Sequence, residues 1–240
     1  MARFTWETRI YFPIAQPWDT VQFDRVLTAV EAAGLLIPFA SEEWAAWIVP
    51  TGRWRDRRVA VDRYQTLQIL QEHGGGFLCL ASSVPDVRAT LSLDPQALVH
   101  YEGETERASA FYGNLSLSVD LGTMLDDGDV NLLPEAVMLV WRCSLAMARS
   151  VDTVYGMGDF VNRNLSSPIF FRDDLDNLRV PRLAWWNYFG SAYCNHWQEA
   201  EWPGAGVWAA PRDDHGWTVI MRPPYGPLRA TNEEFREIFG

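Results

Sequence analysis

The side chains that most often carry out catalysis or hold metals are few in this chain, and their spacing matches no catalytic or metal-binding motif. The four histidines lack the His-Glu-x-x-His spacing of zinc sites, and no two cysteines form a Cys-x-x-Cys pair. No Gly-x-Ser-x-Gly element is present to carry a nucleophilic serine. The sequence therefore predicts no metal, no cofactor and no catalytic residue. A hydrolase whose triad is assembled from distant residues would leave no such motif, so it stays an alternative.

Lysine is absent from the chain, and all twenty basic residues are arginine. Without a lysine amine, the chain cannot form a Schiff base with a carbonyl substrate or attach pyridoxal phosphate. It also cannot build the phosphate-binding loop that ends in Gly-Lys-Ser/Thr. These classes of chemistry are excluded.

One acidic segment comes near a calcium-binding loop without completing it. Asp127, Asp129 and Asn131 occupy the first, third and fifth positions of the calcium-loop pattern. Leu132 and Met138, however, stand where the pattern requires Gly and Glu. A solvated acidic loop before a helix is the better interpretation, because carboxylates stabilise helix N-termini.

The formal net charge of the chain is −11. The deficit of positive charge is concentrated in residues 121–176, which hold four Arg and nine acidic residues. An acidic protein binds nucleic acid poorly without sequence recognition, because neutralising phosphates supplies most of that affinity. The charge therefore predicts no nucleic-acid partner. It is typical of a protein with a basic partner, or of a surface that serves solubility alone.

Strands and helices alternate along the chain, and they must position any site that exists. Phe4–Phe12 alternates in character, is rich in β-formers and predicts a first strand. Asp19 and Gln22 form a capping box for a helix that ends at Gly34. The apolar residues that recur at helical spacing in this helix are Phe23, Val26, Leu27 and Val30.

The rest of the first half predicts short strands and helical segments. Trp44 and Trp47 lie three residues apart, which is consistent with one helical turn that buries both. A longer helix is predicted from Asp62 to about His73. Its apolar stripe consists of Tyr64, Leu67 and Leu70. Strands are predicted at Leu35–Phe39, Arg58–Val61 and Phe77–Ala81, with an ambiguous strand pair in residues 86–102.

The second half repeats this alternation of strands and helices. Residues 115–121 alternate with a period of two and predict a long strand. Pro134 suits the first turn of a helix that runs to about Ser150. A strand is predicted at Val151–Met157, and the polar residues 159–182 predict a long surface excursion. The remaining elements are a hairpin of Val207–Ala210 with Trp217–Met221 and a final helix from Thr231 through Phe239.

These elements predict an α+β fold with mainly antiparallel sheet and with helices packed on one face. The chain length suits a single domain. Its two halves, about 1–105 and 106–240, each begin with a long strand followed by a capped helix. A single domain made of two similar strand–helix–strand halves is therefore one arrangement that fits the sequence.

The sequence also bears on where the protein acts. No apolar run is long enough to span a bilayer, and the N-terminal residues lack the apolar core of a signal peptide. Three widely spaced cysteines suit reduced thiols better than a disulfide framework. We therefore expect a cytoplasmic protein without a membrane partner.

An aromatic cluster in residues 183–197 is the most unusual feature of the chain. Because Trp and Tyr dominate both protein cores and binding hot spots, the cluster is either a core hub or a contact surface. The core interpretation is favoured. Its hub residues are Trp185, Trp186, Tyr188, Phe189 and Trp197.

Two further expectations concern the middle of the aromatic cluster. Adjacent side chains of an extended segment point to opposite faces, so one of Trp185 and Trp186 should be buried and the other should lie nearer the surface. Asn187 would need hydrogen-bond partners if it were buried. We therefore expect Asn187 to cap or turn the chain.

The stretch Arg182-Leu183-Ala184-Trp185-Trp186-Asn187-Tyr188-Phe189-Gly190, followed by a hairpin, a proline-rich strand exit and a terminal helix, resembles the C-terminal segment of bacterial immunity proteins. These are α+β antitoxins encoded beside polymorphic toxins or toxins of the type VI secretion system. The likeness covers roughly residues 180–240. It implies a non-enzymatic inhibitor that binds a cognate toxin, a basic protein, and occludes its active site.

If the chain is such an inhibitor, we expect the aspartates of its acidic loops to bind the toxin. Binding residues concentrate in loops, and charges at the edge of an interface steer association. These residues are Asp126, Asp127, Asp129, Asp173, Asp174 and Asp176. Two other functions stay open: a hydrolase with a scattered site, and a structural component of a phage or secretion assembly. The oligomeric state does not follow from the sequence.

Overall fold

The computed structural model describes most of the strands and helices of the chain but not every segment between them. All structural statements below concern the described residues, which are 3–14, 16–38, 46–50, 58–60, 62–85, 87–95, 107–108, 111–123, 134–161, 171–180, 183–196, 207–209 and 213–221. Of the predicted features, Trp44, the acidic loop at 126–131, Trp197 and the final helix at 231–239 lie outside these residues.

One antiparallel sheet runs through the described part of the molecule. Its strands are β1 (Arg3–Phe12), β2 (Leu35–Leu36), β3 (Ala46–Pro50), β4 (Arg58–Ala60), β5 (Gly76–Ser82), β6 (Arg88–Asp94), β7 (Gly113–Thr123), β8 (Tyr155–Val161), β9 (Trp186–Gly190), β10 (Val207–Ala209) and β11 (Gly216–Met221). The order across the sheet is β10-β11-β9-β8-β1-β7-β6-β5-β3-β4, and β2 pairs with β5. The predicted α+β class with antiparallel sheet is confirmed.

The centre of the sheet is the long pair formed by β1 and β7, whose register runs from Arg3 opposite Thr123 to Phe12 opposite Gly113. Beyond β1 lie β8, β9, β11 and β10, and beyond β7 lie β6, β5, β3 and β4. The first long strand of each half therefore lies between strands of the other half. Neither half completes its part of the sheet alone, and the similarity of the two halves stays a prediction.

The five helices in the described residues are α1 (Thr20–Ala32), α2 (Arg63–His73), α3 (Pro134–Ser150), α4 (Arg172–Asp176) and α5 (Ser191–His196). The capping box of α1 forms as predicted: the Asp19 carboxylate accepts from the backbone N–H groups of Val21 (2.8 Å) and Gln22 (3.1 Å), and the Gln22 side chain accepts from the Asp19 N–H. This helix buries Phe23, Val26, Leu27 and Val30, the predicted residues.

The predicted apolar stripe of α2 is wrong in one residue. Tyr64 is 72% exposed, whereas the predicted Leu70 is buried and Leu67 is partly buried against the core. The helix also buries Thr66 and Ile69. Residues two apart lie about 200° apart around a helix, so a stripe centred on Thr66 and Leu70 turns Tyr64 to solvent. The end of the helix is as expected, because Gly74 adopts a left-handed conformation with φ of 71°.

Three other predicted elements differ from the structure. Trp47 belongs to β3, since pairing with β4 and β5 overrides a spacing that also suits a helix. The strand predicted at Val151–Met157 begins only at Tyr155, because Thr153 closes the end of α3 through a hydrogen bond to the Ala148 carbonyl (2.7 Å). The excursion predicted at 159–182 contains the end of β8 and the helix α4.

The two faces of the sheet differ in what covers them. On one face, α1, α2 and α3 pack over the main core, which includes Trp6, Leu91 and Leu117. The short helices α4 and α5 lie on the other face, where Leu175 and Tyr193 join an aromatic cluster that covers β8, β9 and β11. The same face of the central strands β6, β7 and β1 carries polar side chains.

Candidate functional site: the polar face of the central strands

The tryptophans of the aromatic cluster lie in the core and do not form a contact surface. Trp186 is 0% exposed and Trp185 is 5% exposed, and Tyr188 and Phe189 are also buried. The expectation that one of the two tryptophans lies nearer the surface is wrong. Trp185 precedes β9, and its ring stacks on Trp141 of α3 at 5.3 Å between centroids. The alternation rule applies only inside a strand.

Asn187 does not turn the chain, because it lies inside β9 and is fully buried. Its Oδ1 accepts from the Tyr155 hydroxyl (2.7 Å) and from the backbone N–H of Ala184 (2.9 Å). Its Nδ2 donates to the carbonyls of Ala184 (2.7 Å) and Val219 (3.2 Å). Asn187 therefore ties the segment before β9 to β8 and β11.

Two of the three acidic residues predicted around α4 are engaged within the protein. Asp176 accepts a hydrogen bond from the Tyr112 hydroxyl and pairs with Arg172 (2.9 Å). Burial and the Asp176 carboxylate raise the pKa of Tyr112 above its ordinary value. The Asp174 carboxylate accepts from the backbone N–H of Phe171 (3.0 Å) at the start of the helix.

Asp173 differs from the other two acids of α4. Its side chain is exposed and makes no hydrogen bond to the described residues. Of the three carboxylates of this helix, it is the one that the described residues leave without a bond. Asp126, Asp127 and Asp129 lie outside the described residues, so their role stays a prediction.

The most distinctive surface in the described part of the chain is one face of the central strands. We call it the polar face. It carries Thr5, Glu7 and Arg9 of β1, Asn114, Ser116, Ser118 and Asp120 of β7, and Arg88, Thr90, Ser92 and Asp94 of β6. Strand register places Asp94 opposite Asn114, Ser92 opposite Ser116, and Thr90 opposite Ser118.

Alternation along each strand creates this face. The residues between the polar ones, such as Leu91, Leu117 and Ile10, are 0% exposed and pack under the helices. On the polar face, Arg88 and Thr90 are exposed and most β1 and β7 side chains are partly exposed. Ser92 is only 8% exposed and Asp94 only 7%. The polar face is thus open at one end and enclosed at the other.

A cation on the polar face is held by its own strand. Arg9 forms an ion pair with Glu7, with 2.7 Å between Nη2 and Oε1. Burial alone would lower the pKa of Arg9, but the charges and hydrogen bonds of Glu7 and Tyr11 outweigh burial and raise it. The guanidinium of Arg9 therefore interacts with Glu7 and Tyr11 of its own strand.

Asp94 and Asn114 differ from the other polar side chains of this face. Burial raises the pKa of Asp94 to about 7. Within the described residues, Asp94 takes part in no ion pair, and Asn114 Oδ1 is buried without a hydrogen-bond partner. Buried polar atoms are nearly always paired, so Asn114 Oδ1 is an exception among the described residues.

Sequence reasoning missed the polar face, although the signal was present. The alternation of residues 115–121 predicts a strand from its apolar members, and the polar members between them occupy the opposite face. Residues 88–94 alternate in the same way. Nothing local shows that β6 and β7 lie side by side, because their pairing joins residues far apart in the sequence, such as Arg88 with Asp120.

The hydrolase alternative requires titratable groups with shifted pKa values to converge in a cavity. An open cavity of about 570 Å³ lies at the end of α1. Its described lining consists of Ala32, Ala33, Gly34, Ser83, Val84, Glu135, Leu139 and Arg142. Only Glu135 and Arg142 are titratable among these described residues, so they supply no histidine or cysteine for a hydrolase triad.

No group of three or more His, Cys, Asp or Glu side chains in the described part could hold a metal ion. In the same residues, none of the helices combines the length and apolar character needed to cross a membrane. No protein-family model matches the chain, and no curated protein is significantly similar to it.

Proposed function

We propose that this chain is a bacterial immunity protein, a non-enzymatic inhibitor that binds a basic toxin and occludes its active site. The polar face is the observation that carries the proposal. It is a partly exposed sheet surface of small and charged side chains, and helices seal the face behind it. The resemblance of residues 180–240 to immunity proteins supports the same function.

The chemistry of the polar face suits a basic protein. Ser116, Ser118 and Thr90 are short, so a partner's side chains can approach the strands and exchange hydrogen bonds with hydroxyl groups. Arg9 is neutralised by Glu7, whereas Asp94 has no cation beside it among the described residues. The chain as a whole has a net charge of −11, which attracts a basic partner over long range.

The exposed acid of α4 lies on the same side of the sheet. Leu175 of α4 belongs to the same cluster as Tyr11 of β1, whose side chain shares a face with Glu7 and Arg9. One partner can therefore contact Asp173 and the polar face together. In this arrangement Asp173 acts at the edge of the interface, where charges affect mainly the association rate. We place this activity in the bacterial cytoplasm.

The proposal is tested by co-expressing the chain with the toxin encoded by the neighbouring gene and measuring growth, then binding by calorimetry. Wild-type chain should restore growth. Thr90→Arg and Ser118→Arg add a long cation to the polar face, and each should weaken binding at least tenfold. Gln68→Arg, on exposed α2 behind the sheet, is the matched control and should protect like wild type.

The outcomes distinguish an error in the proposed function from an error in the proposed binding site. If wild type neither binds nor protects against the neighbouring toxin, the proposed function is wrong. If all three arginine variants protect equally well, the toxin binds elsewhere and the polar face is not the site. Rings or filaments of the purified chain on size-exclusion chromatography would favour the structural-component alternative.

A further inference from the structure

We propose that Asp94 and Asn114 form a subsite for one cationic nitrogen group of the bound partner, a guanidinium or an ammonium. This inference rests on the proposed binding function and adds the chemistry that the polar face recognises. The Asp94 carboxylate would accept charge-assisted hydrogen bonds from the cation, and Asn114 Oδ1 would accept one more.

The strand register brings the two acceptors together. Asp94 of β6 and Asn114 of β7 are direct partners, and both side chains lie on the polar face. Directly opposed residues of antiparallel strands have Cα atoms about 4.5–5.5 Å apart. A single guanidinium or ammonium group, with several N–H donors, can therefore reach both acceptors at once.

Neither acceptor is fully satisfied within the described residues, since Asn114 Oδ1 lacks a hydrogen-bond donor and Asp94 forms no ion pair. Asp94 is only 7% exposed, and Asn114 Oδ1 is buried without a hydrogen bond in the described part of the chain. A buried carboxyl destabilises the folded state unless something compensates it. Within the described residues Asn114 Oδ1 has no donor and Asp94 has no cation beside it, and the proposed bound cation would supply both.

The missing donor should carry a positive charge. Among the described residues Arg9 is engaged by Glu7 and Tyr11, and the chain has no lysine. Burial raises the pKa of Asp94, and none of the ion pairs within the described residues includes this carboxyl. The other titratable side chains on strands of this face, or just before β7, are Glu7, Arg9, Tyr11, Cys79, Arg88, Asp120, Tyr155, Asp159, Arg107 and Tyr112.

Cation binding at this subsite is coupled to proton release. The pKa of Asp94 is about 7, so the carboxyl is mostly protonated at pH 6 and mostly ionised at pH 8. Only the ionised form attracts a cation. Affinity for a cation should therefore be about tenfold higher at pH 8 than at pH 6.

The test uses the purified full chain and small cations as probes. Guanidinium chloride and ammonium chloride are titrated separately below about 0.1 M, well under denaturing concentrations, and sodium chloride at equal ionic strength is the control. Amide NMR spectra should show saturable shifts at Asp94 and at the Asn114 side-chain amide, with weak affinity expected for so few atoms. The more strongly bound cation indicates whether the partner presents arginine or lysine.

Two variants make the test specific. Asp94→Asn keeps the shape of the side chain but removes the charge, and it should weaken probe binding at least tenfold. Asp214→Asn, in the exposed turn before β11, removes one carboxylate elsewhere and should bind the probes like wild type. Shifts that sodium chloride reproduces, or equal titrations of wild type and Asp94→Asn, would overturn the subsite.

The subsite and the proposed function can fail separately. If the wild-type chain binds guanidinium but protects against no toxin, the subsite stands and the proposed function is wrong. If the Asp94→Asn variant binds the toxin as tightly as wild type does, the proposed function stands and the subsite is wrong. Support for both requires saturable probe binding and an affinity for the toxin that falls at least tenfold in Asp94→Asn.

Discussion

One row of the sheet shows how differently two regions of the same face are used. It crosses six strands, and its members are Asp94, Asn114, Tyr11, Tyr155, Phe189 and Trp217. Among the described residues, the β6 end of the row begins with a carboxyl that forms no ion pair and an amide oxygen that has no hydrogen-bond donor. At the β11 end it finishes in aromatic rings, where Phe189 lies 5.3 Å from Tyr155 and 6.3 Å from Trp217 between centroids.

The difference between these regions follows from what covers them. The aromatic region lies under α4 and α5, whose Leu175 and Tyr193 complete its apolar cluster. The polar face has neither helix over its open end, where Arg88 and Thr90 are exposed. A sheet face becomes core where an element packs on it and stays a surface where none does. The aromatic region should therefore govern stability, and the polar face should govern binding.

The largest effect is expected in the aromatic region. Phe189→Ala removes a side chain that is 1% exposed and should lower the free energy of unfolding by about 3–5 kcal/mol, through lost burial and the cavity left behind. Trp186→Ala, on the helix-covered face of the same strand, should cost a similar amount. Urea unfolding measures both. A loss below about 1 kcal/mol would mean that this region is not core.

The second prediction concerns Asp94, the polar end of the same row. Its pKa of about 7 lies above the ordinary 3.8, so between these values the unfolded chain releases its proton first. The free energy of unfolding therefore falls as pH rises from about 4 to 7, and the loss persists above pH 7. Asp94→Asn should be more stable than wild type by about 2–4 kcal/mol at pH 8 and nearly equal to it at pH 4. Urea unfolding at both pH values checks this, and an equal difference at both would contradict it.

A matched pair of serines tests the contrast at smaller scale. Ser144 of α3 is buried and shares a 2.6 Å hydrogen bond with Thr8, whose hydroxyl also accepts from Trp6 Nε1 (2.6 Å). Ser144→Ala should lower the free energy of unfolding by about 1–2 kcal/mol, because it breaks this buried chain. Ser118→Ala, on the polar face, should change it by less than about 0.5 kcal/mol. Equal losses would show that the polar face is as tightly packed as the core.

The smallest effect is expected at α4, beside the aromatic region. Asp176→Asn weakens the contacts with Tyr112 and Arg172, but this carboxylate is 40% exposed, so the free energy of unfolding should fall by less than about 1 kcal/mol.

Asp173→Arg should leave thermal melting unchanged and slow association with a basic toxin. Stopped-flow mixing measures that rate, and an unchanged rate would remove α4 from the interface.

Much of the fold could be predicted because it depends on neighbours in sequence. The Asp19–Gln22 capping box joins residues three apart, and the helix from Pro134 to Ser150 follows a local apolar spacing. The hairpin of β10 and β11 was also predicted, with Asp213 accepting from the N–H groups of His215 and Gly216 at 2.8 Å each. Such features need only short-range hydrogen bonds and periodicity.

The candidate site was harder to predict, because the deciding contacts join distant residues. Tyr112 and Asp176 are 64 positions apart, and their hydrogen bond withdraws one of the predicted binding acids from the surface. Trp185 meets Trp141 across two elements, so both adjacent tryptophans become core. The composition of a segment shows which side chains are available, but it does not show which other segment will pack against them.

The sequence by itself determined the strand and helix periodicity, the caps, the absence of lysine and the excess of negative charge. Only the tertiary structure decided that β1 lies between β7 and β8, that β6 lies beside β7, and that Asp94 therefore faces Asn114. The physical reason is one of range. Periodicity and caps follow from forces between residues a few positions apart, whereas strand order follows from the burial of whole faces, which depends on all segments together.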